Sequence, residues 1–379
     1  MDSLSGTTFT KYGWVVCLWS LMIPFQHGYH ISVLNQIQGV LTCKGTAPIP
    51  ESIPGKDDLS SCIPMSDFTF SLITSIYTIG GLAGSLVANM VMDRWGRRGT
   101  NSISAVLITV FTALMGLSSS VPLLLISRFT IGVASGLGLC VGPIYISEIS
   151  PPKIRGSVAE ETSLLNEADD ETRQVSTQEI VSVPQLLFKP ELRAPLMIVG
   201  LAMIAQQISG VTAVFYYSND LLAKSLPQLG AYISLTITVI NVIMTFPPIL
   251  LIERMGRKPL LAMSILGAIF SLVTVGFALD SGSATVASIA IVTFVMFYAI
   301  GLGPIPFVMI PEVSPLHAVS ALSSVALSLS WSTSFVVGLL FLPIRNLLSG
   351  GDMYKEGRVF YVFGLLFCLA SILLFKFYK

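Results

Sequence analysis

Asp93-Arg94-Trp95-Gly96-Arg97-Arg98 interrupts a long apolar run, and Glu253-Arg254-Met255-Gly256-Arg257-Lys258 interrupts another. Each hexapeptide sets an acid, basic residues and a glycine between two apolar blocks. A second pair follows in the same order, Glu148-Ile149-Ser150-Pro151 and Glu312-Val313-Ser314-Pro315. The steps from Asp93 to Glu148 and from Glu253 to Glu312 are 55 and 59 residues. One half-unit is therefore repeated in the same orientation, and a repeat on this scale sets the frame for every finer feature.

The blocks around these motifs belong in a bilayer. Of 379 residues, 53% are hydrophobic and 11% charged, with a mean hydropathy of +0.78. A soluble domain carries about 25% charged residues. Ten blocks, the first near Trp14–Leu34 and the last near Val359–Phe377, approach the roughly 20 residues that cross about 30 Å of hydrocarbon. Backbone groups in lipid must satisfy one another, and the alternation of barrel strands is absent, so the spans are predicted as helices. Net charge is +0, so only its distribution informs. With a cytosolic N-terminus, the inner loops hold Arg94, Arg97, Arg98, Lys153, Arg155, Arg173, Lys189, Arg193, Arg254, Arg257 and Lys258. The outer segments hold Lys44, Lys56, Lys224, Arg345, Lys355 and Arg358. That bias predicts both termini in the cytosol and Gln36–Met65 outside or lumenal. The first apolar run reads as a signal anchor rather than a cleaved leader.

The repeat exposes a gap. Two spans follow the Glu312 motif, but none follows the Glu148 motif; the chain runs instead through polar, acidic Ser157–Gln185. The organisation read from this is a four-helix N-terminal half over 1–150, a cytosolic linker over 151–194 and a six-helix C-terminal half over 195–379. Losing an even number of helices leaves every other span correctly oriented. Within the linker, short amphipathic helices at Leu164–Arg173 and Gln178–Phe188 and a disordered tether both stay open. Cys17, Cys140 and Cys368 fall in spans and are expected to be inert buried thiols. For Cys43 and Cys62, a disulfide and two free thiols both stay open, because spacing alone does not fix pairing.

Six motifs together resemble the sugar porters of the major facilitator superfamily, including the facilitative glucose transporters. They are the Asp93–Arg98 hexapeptide; Arg128 with Gly132 and Gly136; Pro143-Ile144-Tyr145 through Glu148, Pro151, Arg155 and Gly156; Gln206-Gln207-Ile208-Ser209-Gly210 through Tyr216-Tyr217-Ser218; Glu253–Arg257; and Gly303-Pro304-Ile305-Pro306. The resemblance covers nearly the whole chain except the gap after Arg155-Gly156. Two family signatures, Pro-Glu-Ser-Pro-Arg after the sixth helix and Pro-Glu-Thr-Lys-Gly after the last, are not found, which suggests a truncated or spliced form or an incomplete gene model. The fold implied is an all-α membrane protein, a major facilitator helical bundle of about ten transmembrane helices, four plus six instead of six plus six.

The resemblance also implies roles. Gln206 and Gln207 would contact a sugar. A polar side chain at bilayer depth usually faces a cavity or a bundle interior, and bonding between helices is their simpler alternative. Thr212 stands where the family usually has Asn. Asn241 matches a sugar-contacting Asn, and Phe215 and Trp331 match aromatic wall positions. Phe307 replaces a frequent Trp, and Ser334 replaces an Asn. Asp93, Arg94, Arg97 and Arg98 with Glu148 and Arg155, and Glu253, Arg254 and Arg257 with Glu312, would form cytosolic latches. Exposed pairs contribute only about 0.2–1 kcal/mol each. His30 stands where proton-coupled members carry Asp, with Arg128 as that Asp's partner. A second positive charge beside Arg128 is disfavoured, so a neutral His30 favours uniport.

The expected function is therefore hexose transport across a membrane by alternating access, facilitative rather than proton-coupled. The alternatives are a transport-impaired truncated or spliced form acting as a sugar sensor or regulatory partner, and a proton–sugar symporter. The expected partners are a small sugar such as glucose or another hexose and the lipid bilayer, with homo- or hetero-oligomers open and nucleic acid not expected. No cofactor or metal is implied, and no nucleophile, base and oxyanion donors converge as in an enzyme. The plasma membrane and the vacuolar membrane both fit.

Overall fold

The structure, a computed structural model, describes residues 11–43, 62–149, 185–186, 189–223, 230–244, 246–315, 318–352 and 355–378. Its helices are α1 (Lys11–Leu41), α2 (Asp67–Gly116), α3 (Val121–Ile149), α4 (Arg193–Ile208), α5 (Val211–Ala223), α6 (Gly230–Ile243), α7 (Pro247–Met255), α8 (Arg257–Asp280), α9 (Ala284–Phe297), α10 (Ile305–Val313), α11 (Val319–Ser349) and α12 (Arg358–Phe377). α2 bends back on itself, while α4 with α5, α6 with α7, and α9 with α10 each form one interrupted crossing. Among the described residues the bundle is all-helical with ten crossings, as expected. Among the described residues eight segments are long and apolar enough to span a bilayer by length and composition.

The two repeated hexapeptides take the same shape. Gly96 (φ 68°, ψ 172°) breaks α2, and Gly256 (φ 80°, ψ 166°) separates α7 from α8. Both lie in the region that a side chain disfavours, so glycine makes the reversal at little steric cost. The expected basic loops are thus one-residue turns between helices. Likewise α1 continues to Leu41, so the first six residues of the segment read as an outer loop from Gln36 are helical. Cys43 and Cys62 are joined in a disulfide that ties the end of α1 to the approach of α2. Cys140 and Cys368 are free and only half-buried, not fully buried as expected. The side chain of Cys17 and the linker helices considered over 164–173 and 178–188, apart from 185–186, lie outside the described residues.

Backbone contact joins α2 and α3. A Cβ on Gly80 would lie 2.1 Å from the Phe129 carbonyl, one on Gly84 2.1 Å from the Val133 carbonyl, one on Gly132 2.1 Å from the Tyr77 carbonyl, and one on Gly136 2.2 Å from the Gly81 carbonyl. Residue numbers rise together along both helices, so these limbs run parallel. The limb of α2 after Gly96 must therefore carry the chain back across. Small residues let helices approach where lipid offers no hydrophobic drive for association.

Hydrogen bonds tie the first four crossings to the later six near the disulfide. Asn35 Nδ2 donates to Ser218 Oγ (2.8 Å), and Asn346 Nδ2 to Asp67 Oδ2 (2.8 Å). The Thr74 and Tyr217 hydroxyls meet at 3.0 Å, and Tyr217 Oη donates to the Gly338 carbonyl (2.8 Å). Tyr217 also stacks on Phe341 at 5.4 Å.

Candidate functional site

A cavity of about 480 Å³ lies at the middle of the bundle. α1 supplies His27 and Ile31, α2 supplies Tyr77 and Thr78, and α3 supplies Leu139. The remaining lining comes from α4, α5, the α9–α10 region and α11. Of the residues read from sequence, Gln206, Gln207, Thr212, Phe215, Trp331, Ser334 and Phe307 all line it. Asn241 lies on α6 and is not among the lining residues.

The polar side of the cavity is one continuous chain of hydrogen bonds. Thr212 Oγ1 donates to Gln207 Oε1 (3.0 Å) and lies 2.9 Å from Ser334 Oγ. A hydroxyl carries a single hydrogen, so Ser334 donates to Thr212. Gln207 Nε2 donates to Ser330 Oγ (3.0 Å) and, at 3.4 Å, to Gln206 Oε1. Gln206, 2% exposed, donates from Nε2 to the carbonyls of Leu302 (2.7 Å) and Gly303 (2.9 Å). The break between α4 and α5, with Gly210 at φ 85°, is what presents both glutamines and Thr212 to the same space. Both glutamines therefore bond between helices while also facing the cavity.

Aromatic rings from three helices complete the lining: Trp331 of α11, His27 of α1 and Tyr77 of α2. The Trp331 ring lies so close to α2 that a Cβ on Gly81 would come within 2.7 Å of it. Its edge meets His27 at 5.7 Å. His27 Nδ1 lies 2.6 Å from the Tyr77 hydroxyl, and the two rings stack. Sequence reasoning missed His27, Tyr77 and Ser330 as cavity residues. The available signal was their polarity inside apolar spans, which marks a side chain facing inward.

The lining carries no Asp, Glu, Lys or Arg among the described residues. Arg128 stands behind it, fully buried, its guanidinium 4.7 Å from the Tyr77 ring centroid. Arg128 donates to the His30 carbonyl (2.8 Å) and, at 3.4 Å, to that of Thr74. The His30 ring, also buried, reaches Thr112 Oγ1 at 3.2 Å and does not line the cavity. The structure thus brings Arg128 and His30 together through the backbone of His30.

Of the expected latches, Arg257 and Glu312 form an ion pair with both side chains partly exposed. Asp93, Arg94 and Arg98 are exposed at the Gly96 turn, Arg97 is half-buried, and Arg254 is exposed beside Gly256. Glu148 lies in the last turn of α3 and Glu253 in α7, but their side chains, like all of Arg155, lie outside the described residues.

Residues 16–165 and 157–379 match the family described as sugar (and other) transporter. The chain belongs to that family. The two matched stretches meet at 157–165, just after Arg155-Gly156. The chain is 26% identical to the probable metabolite transport protein YBR241C of Saccharomyces cerevisiae over 457 residues, covering 96% of this chain and 90% of that protein. It is 27% identical to the human solute carrier family 2, facilitated glucose transporter member 3, over 449 residues, covering 93% and 86%. Both alignments are longer than the 379 residues of this chain, so each relative carries residues with no counterpart here. The fold matches the xylose transporter XylE from E. coli at a TM-score of 0.71, with 18% identity and coverage of 97% of this chain and 100% of that one. This member of the family is a multi-pass membrane transporter.

Proposed function

We propose that this transporter carries a hexose by alternating access and without proton coupling. The observation that carries the reading is the uncharged Ser334–Thr212–Gln207–Ser330 chain lining one cavity together with the Trp331, His27 and Tyr77 rings. Amides and hydroxyls that both donate and accept suit a ring of hydroxyl groups, and an aromatic face suits its C–H surface. Gln207, Thr212, Ser334 and Trp331 are the contacts we assign, with Gln206, Phe215 and Phe307 beside them. Uniport is supported by the lining, which offers no carboxylate to carry a proton among the described residues. The relatives named as transporters of glucose and xylose support the substrate class.

Replacing Gln207 with Ala is expected to weaken glucose binding about two- to tenfold, the loss of one neutral hydrogen bond of about 0.5–1.5 kcal/mol. Trp331→Ala should weaken it at least as much. Sugar-dependent thermal stabilisation of purified protein reads both; unchanged stabilisation in both variants would assign the chain to helix association alone.

In topology, the disulfide end faces outside or the lumen and both termini the cytosol. Its cross-bundle bonds then close the outer side, and Arg257–Glu312 lies on the inner side. The new thiol of Asp57→Cys, between the bridged cysteines in sequence, should be shielded from an impermeant thiol reagent presented on the cytosolic side alone. Labelling from the cytosolic side would reverse the orientation. A second reading, a sugar sensor or regulatory partner of a longer transporter, is favoured by the residues that the relatives carry and this chain lacks.

A further inference from the structure

The crossing formed by α9 and α10 is broken by a π turn over Tyr298–Leu302, and the break leaves acceptors without their usual donors. Pro306 has no N–H to give to the Leu302 carbonyl. The Phe307 N–H, which a regular helix would send to Gly303, goes to the Pro304 carbonyl instead (3.1 Å). Two side chains from other helices repair the break. Ser264 of α8 accepts the Leu302 N–H (2.9 Å) and donates to the Phe297 carbonyl (2.5 Å). Gly301 permits this approach, since a Cβ there would lie 2.6 Å from that of Ser264. From α4, Gln206 supplies both hydrogens of one amide to the carbonyls of Leu302 and Gly303. Two carbonyl oxygens can be faced only by the NH2 end, so the amide orientation follows from the chemistry.

We propose that Gln206 is a positioning residue, an amide clamp that holds the start of α10 and so links the cavity to the Arg257–Glu312 ion pair at the far end of that helix. α10 carries Phe307 on the cavity and Glu312 at its other end. The helix is short, and its N-terminal attachment to α9 runs through the clamped carbonyls. Release of the amide leaves two acceptors unpaired, Leu302 buried and Gly303 half-buried at the cavity, which favours movement of α10 until they find water or another donor. A ligand that draws the Gln206 amide to its own oxygens thereby unlocks the helix bearing half of the ion pair. The clamp stands whichever solute the cavity takes.

Hydrogen exchange of the purified, sugar-free protein tests this. In Gln206→Met the peptide spanning 298–313 should exchange at least about tenfold faster, the loss expected when two bonds to the Leu302 and Gly303 carbonyls go. Gly28→Ala, where a Cβ meets nothing within 4 Å, should leave that peptide unchanged. Adding Pro306→Ala to Gln206→Met restores an N–H for the Leu302 carbonyl and should recover much of the protection, which lost packing alone would not. If Gln206→Met does not fold, Gln206→Glu keeps the size and leaves at most one of the two donors. Exchange within twofold of the parent chain, or no recovery with Pro306→Ala, overturns the clamp and leaves Gln206 as a lining residue only.

Discussion

Inserting a pair of transmembrane helices of this family after Gly156 is expected to raise hexose uptake in liposomes at least about tenfold over the 379-residue chain, about 1.4 kcal/mol of barrier. Alternating access in this superfamily rocks one six-helix repeat against the other about a midplane site. Among the described residues four crossings precede Arg193, and the two family matches meet where the insertion would go. One face of α1 carries exposed apolar side chains, with Leu18, Met22, Phe25 and Tyr29 between 49% and 67% exposed. The glutamines, Thr212, Trp331 and Ser334 all lie in the later crossings, so weak sugar binding should survive in the short chain. Saturable, sugar-selective uptake by the unmodified chain, reconstituted as a monomer and no slower than the extended one, would refute the expectation.

Gly132→Leu should destabilise the bundle by at least about 3 kcal/mol, the upper range for overpacking, because the obstacle is backbone and not a movable side chain. The first atom of any side chain there would lie 2.1 Å from the Tyr77 carbonyl. Tyr77 also faces the cavity and supports His27, so pushing α2 away from α3 should weaken sugar-dependent stabilisation too. Gly28, whose Cβ position meets nothing within 4 Å, is the control. Gly28→Leu should change stability by less than about 0.5 kcal/mol, as expected away from packed features. Thermal unfolding of both variants in detergent gives the comparison. Equal midpoints would mean that the α2–α3 contact yields more readily than its geometry implies.

Much of this was written in the chain itself. Hydropathy placed the spans because lipid leaves a backbone no partner but itself. The repeated Asp93–Arg98 and Glu253–Lys258 motifs gave the reversals, since glycine and charge between apolar blocks can only be a turn at the membrane surface. The family motifs indicated Gln206, Gln207, Thr212, Trp331 and Ser334, and all five line one cavity. These signals are local in sequence: each depends on a residue type within an apolar run or on a short motif.

What remained for the tertiary structure was set by neighbours far apart in the chain. Pattern alone could not show that Cys43 bonds Cys62, because pairing depends on where α1 and α2 end in space. Nor could it show that Asn241 stays off the cavity while His27 and Tyr77 enter it, because that depends on how each helix is rotated about its axis. Gln206 is the sharpest case. Its residue type and depth foretold a polar contact, but its amide hydrogens go to Leu302 and Gly303, some hundred residues away. Those acceptors exist only because Pro306 and the π turn break a different helix, and the two meet only when the bundle packs.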